Sequence, residues 1–309
     1  MKKFYTLVVV ISLCLPIFIG ITPKTEAALT PSTGWQWVRE ITISDPGGVS
    51  ADYQIKLRLY ANDATKDDPA NGTIDLAGHC IDFPNDIRFG TTSDPSTATM
   101  LPQWIEEETA EYVDIWVKLP SDGADTIYLF AGNSDATRYS DGDAVFIEFA
   151  DWENDLEGWI NESSGSGTVE FSNAVYKHGS YSLHLNASDV GNLAVVIRYL
   201  TEYAEDFRLI WWARSEANSN TAIYMGTMDN VSGTFYDLTW IKFHYDGTLV
   251  YKVGTTLYTI MSYNAQQWYK IELRFDVDTG TYDIYIDDEL KVDCLLYTSP
   301  SPRDLSTSR

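Results

Sequence analysis

The feature that most constrains the fold is a long alternation of apolar and polar side chains near the end of the chain. Apolar residues occupy every second position of 269–277, and charged residues fill most positions between them. Successive side chains of a strand point to opposite faces, so this period of two predicts a β-strand with one buried face. A turn is predicted at 278–280, and the alternation then returns over 282–286.

The same alternation occurs in shorter runs along the rest of the chain. It is present at 54–59, at 113–119, and in the runs 241–245 and 249–253 that flank Asp246-Gly247. Aromatic residues make up 14% of the chain, and they favour strands. No helical periodicity extends beyond one short turn. Many short antiparallel strands separated by turns predict an all-β protein of two consecutive sandwich or jelly-roll domains.

The first 27 residues have the features of a secretory signal peptide. Lys2-Lys3 gives a positive start, Phe4–Ile21 is apolar, and cleavage is expected after Ala27. An uncleaved membrane anchor is one alternative, since the apolar run is almost long enough to span a bilayer. Lipidation at Cys14 is another, although Leu13 stands where a small residue is expected. We therefore expect an exported chain, either secreted or held at the cell surface.

The last 16 residues look foreign to the fold. Cys294–Asp304 matches, residue for residue, the translation of a transposase-type sequencing adaptor, and a natural Ser/Pro-rich tail is the alternative. We expect an artefact tail at 294–309 and an open reading frame that continues beyond Asp293.

Removing both ends makes the folded part more acidic. The whole chain has a formal net charge of −24, residues 1–27 carry +2 and residues 294–309 carry +1, which leaves −27 for residues 28–293. A chain this acidic lacks the basic surface that nucleic acids and anionic membranes require. Cys80 is then the one cysteine of the folded part and forms no intrachain disulfide. We expect its burial, with pairing to another molecule as the alternative.

Length and pattern predict two domains, with a boundary near residue 148. The first covers 28–148 and the second covers 149–293. The Ser/Gly segment 163–167 is short, so we expect a loop inside the second domain and not a linker.

Six motifs occur in order in the first domain. They are Trp37–Ile43, Asn85–Phe89, Leu101–Glu106, Ile115–Lys118, Ile127–Asn133 and Ser140–Gly142. In this order they resemble the DUF2341 family, a domain of unknown function in exported bacterial and archaeal proteins, over residues 35–148. The family has Tyr-Tyr-Gly-Asn where this chain has Phe130-Ala131-Gly132-Asn133. The resemblance implies no catalytic residue, because the family has no established activity.

Four segments of the second domain carry another resemblance. They are Phe149–Glu153, Gly179–Leu185, Trp268–Leu273 and Tyr282–Asp287. Together they are similar to concanavalin A-like lectin/glucanase sandwiches of the LamG type. The first two also resemble galactose-binding-like carbohydrate modules, but the last favours the concanavalin A-like group. The resemblance implies that this domain binds a glycan or another extracellular surface.

Catalytic residues are not expected. Sandwich glucanases place paired acids at alternate positions of one strand, whereas Glu272, Asp276 and Asp278 are interrupted by Arg274. We expect these acids to form a solvated strand face. The four His residues, at 79, 178, 184 and 244, lack zinc-ligand spacing, and no glycine-rich phosphate loop opens a helix.

Two tryptophans are candidate sugar-binding platforms, because aromatic faces stack on pyranose rings while polar groups orient the hydroxyls. Trp212 shares a strand face with Arg208 and Arg214. Trp240 lies beside Lys242 on the face of its own strand. For each tryptophan, the alternative is packing under a loop or against a stacked basic side chain.

Calcium is the one cofactor that the sequence suggests. Asp151, Glu153 and Asp287 occupy positions that could converge in a sandwich, and carboxylate oxygens are calcium ligands. The alternative is that these acids only add solubility.

These observations predict an exported, non-enzymatic protein that recognises a glycan or another extracellular surface through its second domain. The alternative is the non-catalytic N-terminal part of a larger polysaccharide-active enzyme or adhesin, truncated at residue 293. Four N-glycosylation sequons fit an exported chain; they begin at Asn71, Asn161, Asn186 and Asn230.

Overall fold

The computed structural model describes residues 4–6, 10–12, 27–28, 34–43, 51–187, 192–198, 206–217, 223–225, 228–231, 234–237, 239–276 and 279–296. It contains 25 strands and one four-residue α-helix in this part of the chain, which confirms the all-β prediction. The chain divides into two compact units. The first comprises Ser12–Phe149, and the second comprises Ala150–Arg309 together with Met1–Ile11.

Three short strands precede the first predicted one. They are β1 (Phe4–Thr6), β2 (Val10–Ser12) and β3 (Ala27–Ala28). In the first unit, β3 is followed by β4 (Trp37–Thr42), β5 (Gln54–Tyr60), β6 (Thr73–Asp75), β7 (Arg88–Gly90), β8 (Gln103–Glu108), β9 (Tyr112–Lys118), β10 (Thr126–Ala131) and α1 (Gly142–Val145). Two 3-10 turns, Ala64–Lys66 and Pro69–Asn71, lie between β5 and β6.

Two four-stranded sheets form the first unit, in the orders β3-β4-β10-β7 and β6-β5-β9-β8. All pairings are antiparallel except that of β5 with β6. Both sheets contribute alternate apolar side chains to one core, for example Ile41 and Leu129 from the first and Leu57 and Ile115 from the second. The period-two pattern of these strands is therefore explained by burial of one face.

The second unit contains 15 further strands. They are β11 (Ile160–Asn161), β12 (Thr168–Ser172), β13 (Ser182–Asn186), β14 (Leu193–Ala194), β15 (Val196–Ile197), β16 (Phe207–Arg214), β17 (Ile223–Met225), β18 (Met228–Val231), β19 (Thr234–Asp237), β20 (Ile241–Phe243), β21 (Thr248–Val253), β22 (Thr256–Ser262), β23 (Trp268–Asp276), β24 (Thr281–Ile286) and β25 (Glu289–Leu296).

Two larger sheets dominate this unit. One has the order β14-β1-β17-β20-β21-β22 and the other the order β2-β16-β23-β24-β25. Buried side chains of the two sheets meet between them: the Trp211 Nε1 atom lies 3.1 Å from the sulfur of Met225, and the rings of Phe243 and Tyr269 are 5.9 Å apart. The unit is therefore a sandwich. Three two-stranded sheets, β11–β15, β12–β13 and β18–β19, complete the described strands.

Both predicted terminal segments contribute strands. Within the predicted signal peptide, β1 pairs in parallel with β14 and with β17, and β2 lies beside β16. At the other end, β25 extends to Leu296, three residues into the predicted artefact tail. Signal cleavage and the artefact tail stay predictions.

Candidate functional site

Trp212 lies on the outer face of the five-stranded sheet. Side chains of β16 alternate strictly between buried and half-buried, which places Trp211 in the core and Trp212 on the opposite face. Arg208 and Arg214 share that face with Trp212 because they are four residues before it and two after it. The structure thus brings these three candidate residues together, as the alternation predicted.

The ring of Trp212 is not an open platform. The ammonium of Lys177 lies 4.2 Å from the ring centroid, within the distance of a cation–π contact. The ring of His178 meets the indole at 5.6 Å in a T-shaped arrangement. Lys177 and His178 lie in the segment between β12 and β13, far from β16 in sequence. One side of the indole is therefore occupied by this segment.

Part of the charged face of β23 is buried where a solvated face was expected. Lys270 and Glu272 are each 3% exposed. Glu272 lies 3.5 Å from Arg208 and accepts a 2.5 Å hydrogen bond from Nε of Arg274. The ammonium of Lys270 lies 3.0 Å from Asp288. The expectation of a solvated face was wrong at Glu272, because Arg208 of β16 and Arg274 form ion pairs that cover it. Asp278 lies outside the described residues.

Arg274 strengthens this layer of charges. Its guanidinium stacks 3.7 Å from the ring centroid of Tyr285 on β24. Burial alone would lower the pKa of Arg274, but the hydrogen bond and the charge of Glu272 raise it overall. The arginine therefore stays charged and links β23 to its neighbour β24.

Trp240 lies on the outer face of the other large sheet. It precedes β20, whose Ile241 and Phe243 are fully buried. The ammonium groups of Lys242 and Lys252 each lie 5.6 Å from the Trp240 ring centroid. The backbone oxygen of Trp240 accepts a 3.1 Å hydrogen bond from the backbone N–H of Lys252. We call Trp240, Lys242, Lys252 and the opposing Leu257 of β22 the Trp240 surface.

The two tryptophans are not parts of one site. Trp211 and Ile241, their sequence neighbours, both point into the core between the sheets. Trp212 and Trp240 therefore lie on the outer faces of opposite sheets. Arg214, on the Trp212 face, forms an ion pair with Glu216.

Each of the three acids suggested as calcium ligands already accepts a hydrogen bond from a backbone N–H group. Asp287 lies in the left-handed turn between β24 and β25, where its carboxylate accepts a 2.9 Å hydrogen bond from the backbone of Lys270. The carboxylate of Glu153 accepts hydrogen bonds of 2.8 and 2.9 Å from the backbone of Ser180 and Tyr181. Asp151 accepts from the Glu153 backbone at 3.1 Å. Over the described ranges, no group of three or more His, Cys, Asp or Glu is arranged to hold a metal ion.

The loop that contains Asp151 also holds a carboxyl pair that the sequence did not reveal. Glu157 accepts a 2.9 Å hydrogen bond from the backbone of Asp151. Burial, followed by the hydrogen bond and the negative charge of Asp151, raises the pKa of Glu157 to about 7. The spacing of six residues gives no signal in the sequence, because only the loop conformation brings these carboxyl groups together.

An ion network that the sequence did not reveal lies on the outer face of the β6-β5-β9-β8 sheet. Asp114 accepts hydrogen bonds of 2.6 and 2.8 Å from the guanidinium of Arg58 and lies 3.0 Å from the ammonium of Lys56. Lys56 also lies 2.9 Å from Glu106, whose carboxylate accepts a 2.9 Å hydrogen bond from Trp116 Nε1. Both carboxylates are buried, and the network links β5, β8 and β9.

Cys80 is half-buried, and the sequence expectation was burial. Burial and the nearby charge of Asp86 raise the pKa of its thiol. A thiol that resists ionisation is a poor nucleophile, so the structure gives this cysteine no reactive character.

Within the described residues, there is no helix with the length and apolar content needed to cross a membrane.

Two family models match parts of the chain. Residues 83–162 match "Domain of unknown function (DUF2341)", and residues 202–301 match "Sialidase-like, CBM domain". The first match confirms the DUF2341 resemblance, although it begins later and ends later than the expected 35–148. The second names a carbohydrate-binding type of domain, while the concanavalin A-like assignment stays a prediction. No curated protein matches the chain.

Two solved structures show weak likeness. A sialidase is 14% identical with a TM-score of 0.35, and the match covers 62% of this chain and 15% of that protein. A candidate carbohydrate-binding protein from Bacteroides ovatus is 11% identical with a TM-score of 0.21, covering 97% of this chain and 71% of that one. The chain thus spans a small part of the sialidase's length. Its similarity to known proteins therefore rests on the two family matches.

Proposed function

We propose that this chain is an exported or cell-surface carbohydrate-binding protein without catalytic activity of its own, and that its second unit holds the sugar. The main support is the match of residues 202–301 to a sialidase-like CBM domain. All four candidate residues, Arg208, Trp212, Arg214 and Trp240, fall inside that match. The charged N-terminus and apolar run before Ala27 support export.

The Trp240 surface fits this role better than the Trp212 face. Sugar sites combine a flat aromatic face with polar groups at its rim. Trp240 is half-buried, and the ammonium groups of Lys242 and Lys252 lie 5.6 Å from the ring centroid, near the outer limit of a cation–π contact. Trp212 instead has Lys177 at 4.2 Å and His178 against its ring. We therefore assign the principal sugar contact to Trp240 and a secondary contact to Trp212 with Arg208 and Arg214.

A glycan array with the purified chain, followed by calorimetry on the best ligand, tests this proposal. We expect Trp240→Ala to weaken binding at least tenfold, which corresponds to about 1.4 kcal/mol, and Trp212→Ala to weaken it less. Phe171→Ala is the matched control, because Phe171 is an exposed aromatic residue on β12, outside both large sheets.

Three outcomes count against parts of this proposal. If the folded chain binds no glycan in the presence of calcium, carbohydrate binding is rejected. If Trp240→Ala and Phe171→Ala bind equally well, the sugar lies elsewhere. Repeating the array with a chelator tests the predicted calcium site of Asp151, Glu153 and Asp287, since equal binding with and without calcium removes any role for that ion in recognition.

A further inference from the structure

The β22 strand forms an unprotected edge of the six-stranded sheet. It is the last strand in the sheet order, and among the described strands β21 is its one neighbour. Leu257 is 42% exposed and Tyr258 is 46% exposed, and Thr256 and Thr259 are exposed as well. An exposed edge presents a row of backbone N–H and C=O groups that another strand can pair with.

This edge also lacks the charges that guard edges in most proteins. The run 253–269 contains no Asp, Glu, Lys, Arg or Pro, although 21% of the chain is charged. The comparable edge of the five-stranded sheet, β25, carries Glu289, Lys291 and Asp293. Charged side chains and proline are the usual devices that prevent edge-to-edge pairing. Of these two edge strands, β25 is therefore protected by charge and β22 is not.

Charge also indicates what kind of partner fits this edge. Two copies of a chain with net charge −24 repel each other over most of their surfaces. The uncharged run that contains β22 allows two copies to approach without placing like charges opposite one another. We propose that a second copy of this chain pairs antiparallel with β22, related by a two-fold axis at Tyr258.

The register of this pairing follows from the symmetry. A two-fold axis at Tyr258 places Tyr258 opposite the partner's Tyr258, and Leu257 opposite the partner's Thr259. Directly opposite residues of antiparallel strands share a face, so aromatic side chains meet on one face and Leu and Thr side chains meet on the other. The β21–β22 register shift lies beyond Thr259, so these pairs fall in the regular part of the strand.

Stacked tyrosines would reinforce the interface. Tyr251 and Tyr258 already stack across β21 and β22, with ring centroids 5.3 Å apart and planes inclined by 20°. Pairing through Tyr258 extends this stack to four rings, two from each copy. Aromatic cross-strand pairs add stability beyond the area that they bury.

Sedimentation velocity of the whole chain over roughly 1–100 μM tests the proposal, a range typical for weak to moderate association. We expect a concentration-dependent dimer that strengthens with added salt, because salt screens repulsion between the acidic copies. Tyr258→Lys places two ammonium groups opposite each other and should weaken dimerisation at least tenfold. Tyr245→Lys is the matched control, because Tyr245 is 55% exposed and lies in the turn between β20 and β21.

A chain that stays monomeric at the highest concentration overturns the proposal. A dimer that Tyr258→Lys and Tyr245→Lys leave equally intact also overturns it, since the contact must then lie elsewhere. If Tyr258→Lys fails to fold, amide hydrogen exchange of the unmodified chain decides. Slower exchange over 256–259 at high concentration supports the paired edge, and unchanged exchange rejects it.

Discussion

Asp114 is a buried carboxylate on a sheet face that the alternating sequence pattern predicts to be exposed to solvent. It is buried on the outer face of the β6-β5-β9-β8 sheet, between Arg58 and Lys56. Burial alone would raise the pKa of Asp114, but the hydrogen bonds and positive charges of Arg58 and Lys56 outweigh burial and lower it. The carboxylate is therefore charged and paired in the folded chain.

We expect Asp114→Asn to destabilise the first unit by about 1–3 kcal/mol, because the buried position loses the carboxylate that pairs with the half-buried Arg58 and Lys56. Urea unfolding at neutral pH measures this loss. Asp52→Asn is the control, since Asp52 is exposed and lies 3.4 Å from Lys118 in a surface pair that should contribute less than ~1 kcal/mol. Equal effects of the two substitutions would contradict the role assigned to burial.

The same carboxylate has a predictable pH dependence. Because the pKa of Asp114 is lower in the folded chain, its contribution to stability is fully present above its ordinary value and is lost as pH falls through the lowered one. The acid limb of the stability curve should therefore be shallower in Asp114→Asn.

At the scale of elements, the motif Ser140–Gly142 has a structural explanation. The hydroxyl of Ser140 accepts a 2.9 Å hydrogen bond from the backbone of Ile105, which ties the start of α1 to β8. Asp141 caps α1 by accepting a 3.0 Å hydrogen bond from the backbone of Ala144. At Gly142, a β-carbon would overlap the ring of Phe149. Each residue of the motif therefore makes a different contact that positions α1.

We expect Gly142→Ala to destabilise the first unit by about 1–3 kcal/mol, the usual cost of overpacking a buried contact. Thermal unfolding measures the loss. The double variant Gly142→Ala with Phe149→Leu should recover part of it, because the smaller side chain frees the space that the new methyl group needs. Additive losses in the double variant would show that the clash is not with Phe149.

The strands themselves could be predicted from sequence, because alternation reports directly on a buried face. The apolar positions of β23 were predicted correctly, and Tyr269, Ile271, Leu273 and Phe275 are all buried. The opposite face could not be predicted. Its burial depends on Arg208 and Trp212 of a strand about sixty residues earlier, and no local pattern records which strands become neighbours.

For the candidate site residues, contacts within one strand could be predicted from the sequence, and contacts between strands could not. The shared face of Arg208, Trp212 and Arg214 follows from spacing within one strand, so the sequence was sufficient. The contact of Lys177 with Trp212 joins segments 35 residues apart, and the separation of Trp240 from Trp212 depends on which sheet each strand enters. Those facts are tertiary, and residue spacing does not contain them.

At the scale of the whole molecule, two compact units with separate cores predict two unfolding events. The first core contains Ile41, Leu57 and Ile115, and the second contains Trp211 and Ile271. We expect calorimetry to resolve two transitions. Asp114→Asn should lower the midpoint of one transition and leave the other within error. A single transition that moves as a whole would show that the units unfold together.

Under the proposed function, the placement of Trp212 and Trp240 on opposite outer faces determines how many sugar sites the second unit has. An oligosaccharide that lies flat on one sheet cannot reach the other, since the whole thickness of the core separates the two rings. A unit that uses both tryptophans therefore has two independent sites and can cross-link polymer strands. Short oligosaccharides would then bind with a stoichiometry of two, while a long polysaccharide would precipitate or gel with the protein through avidity.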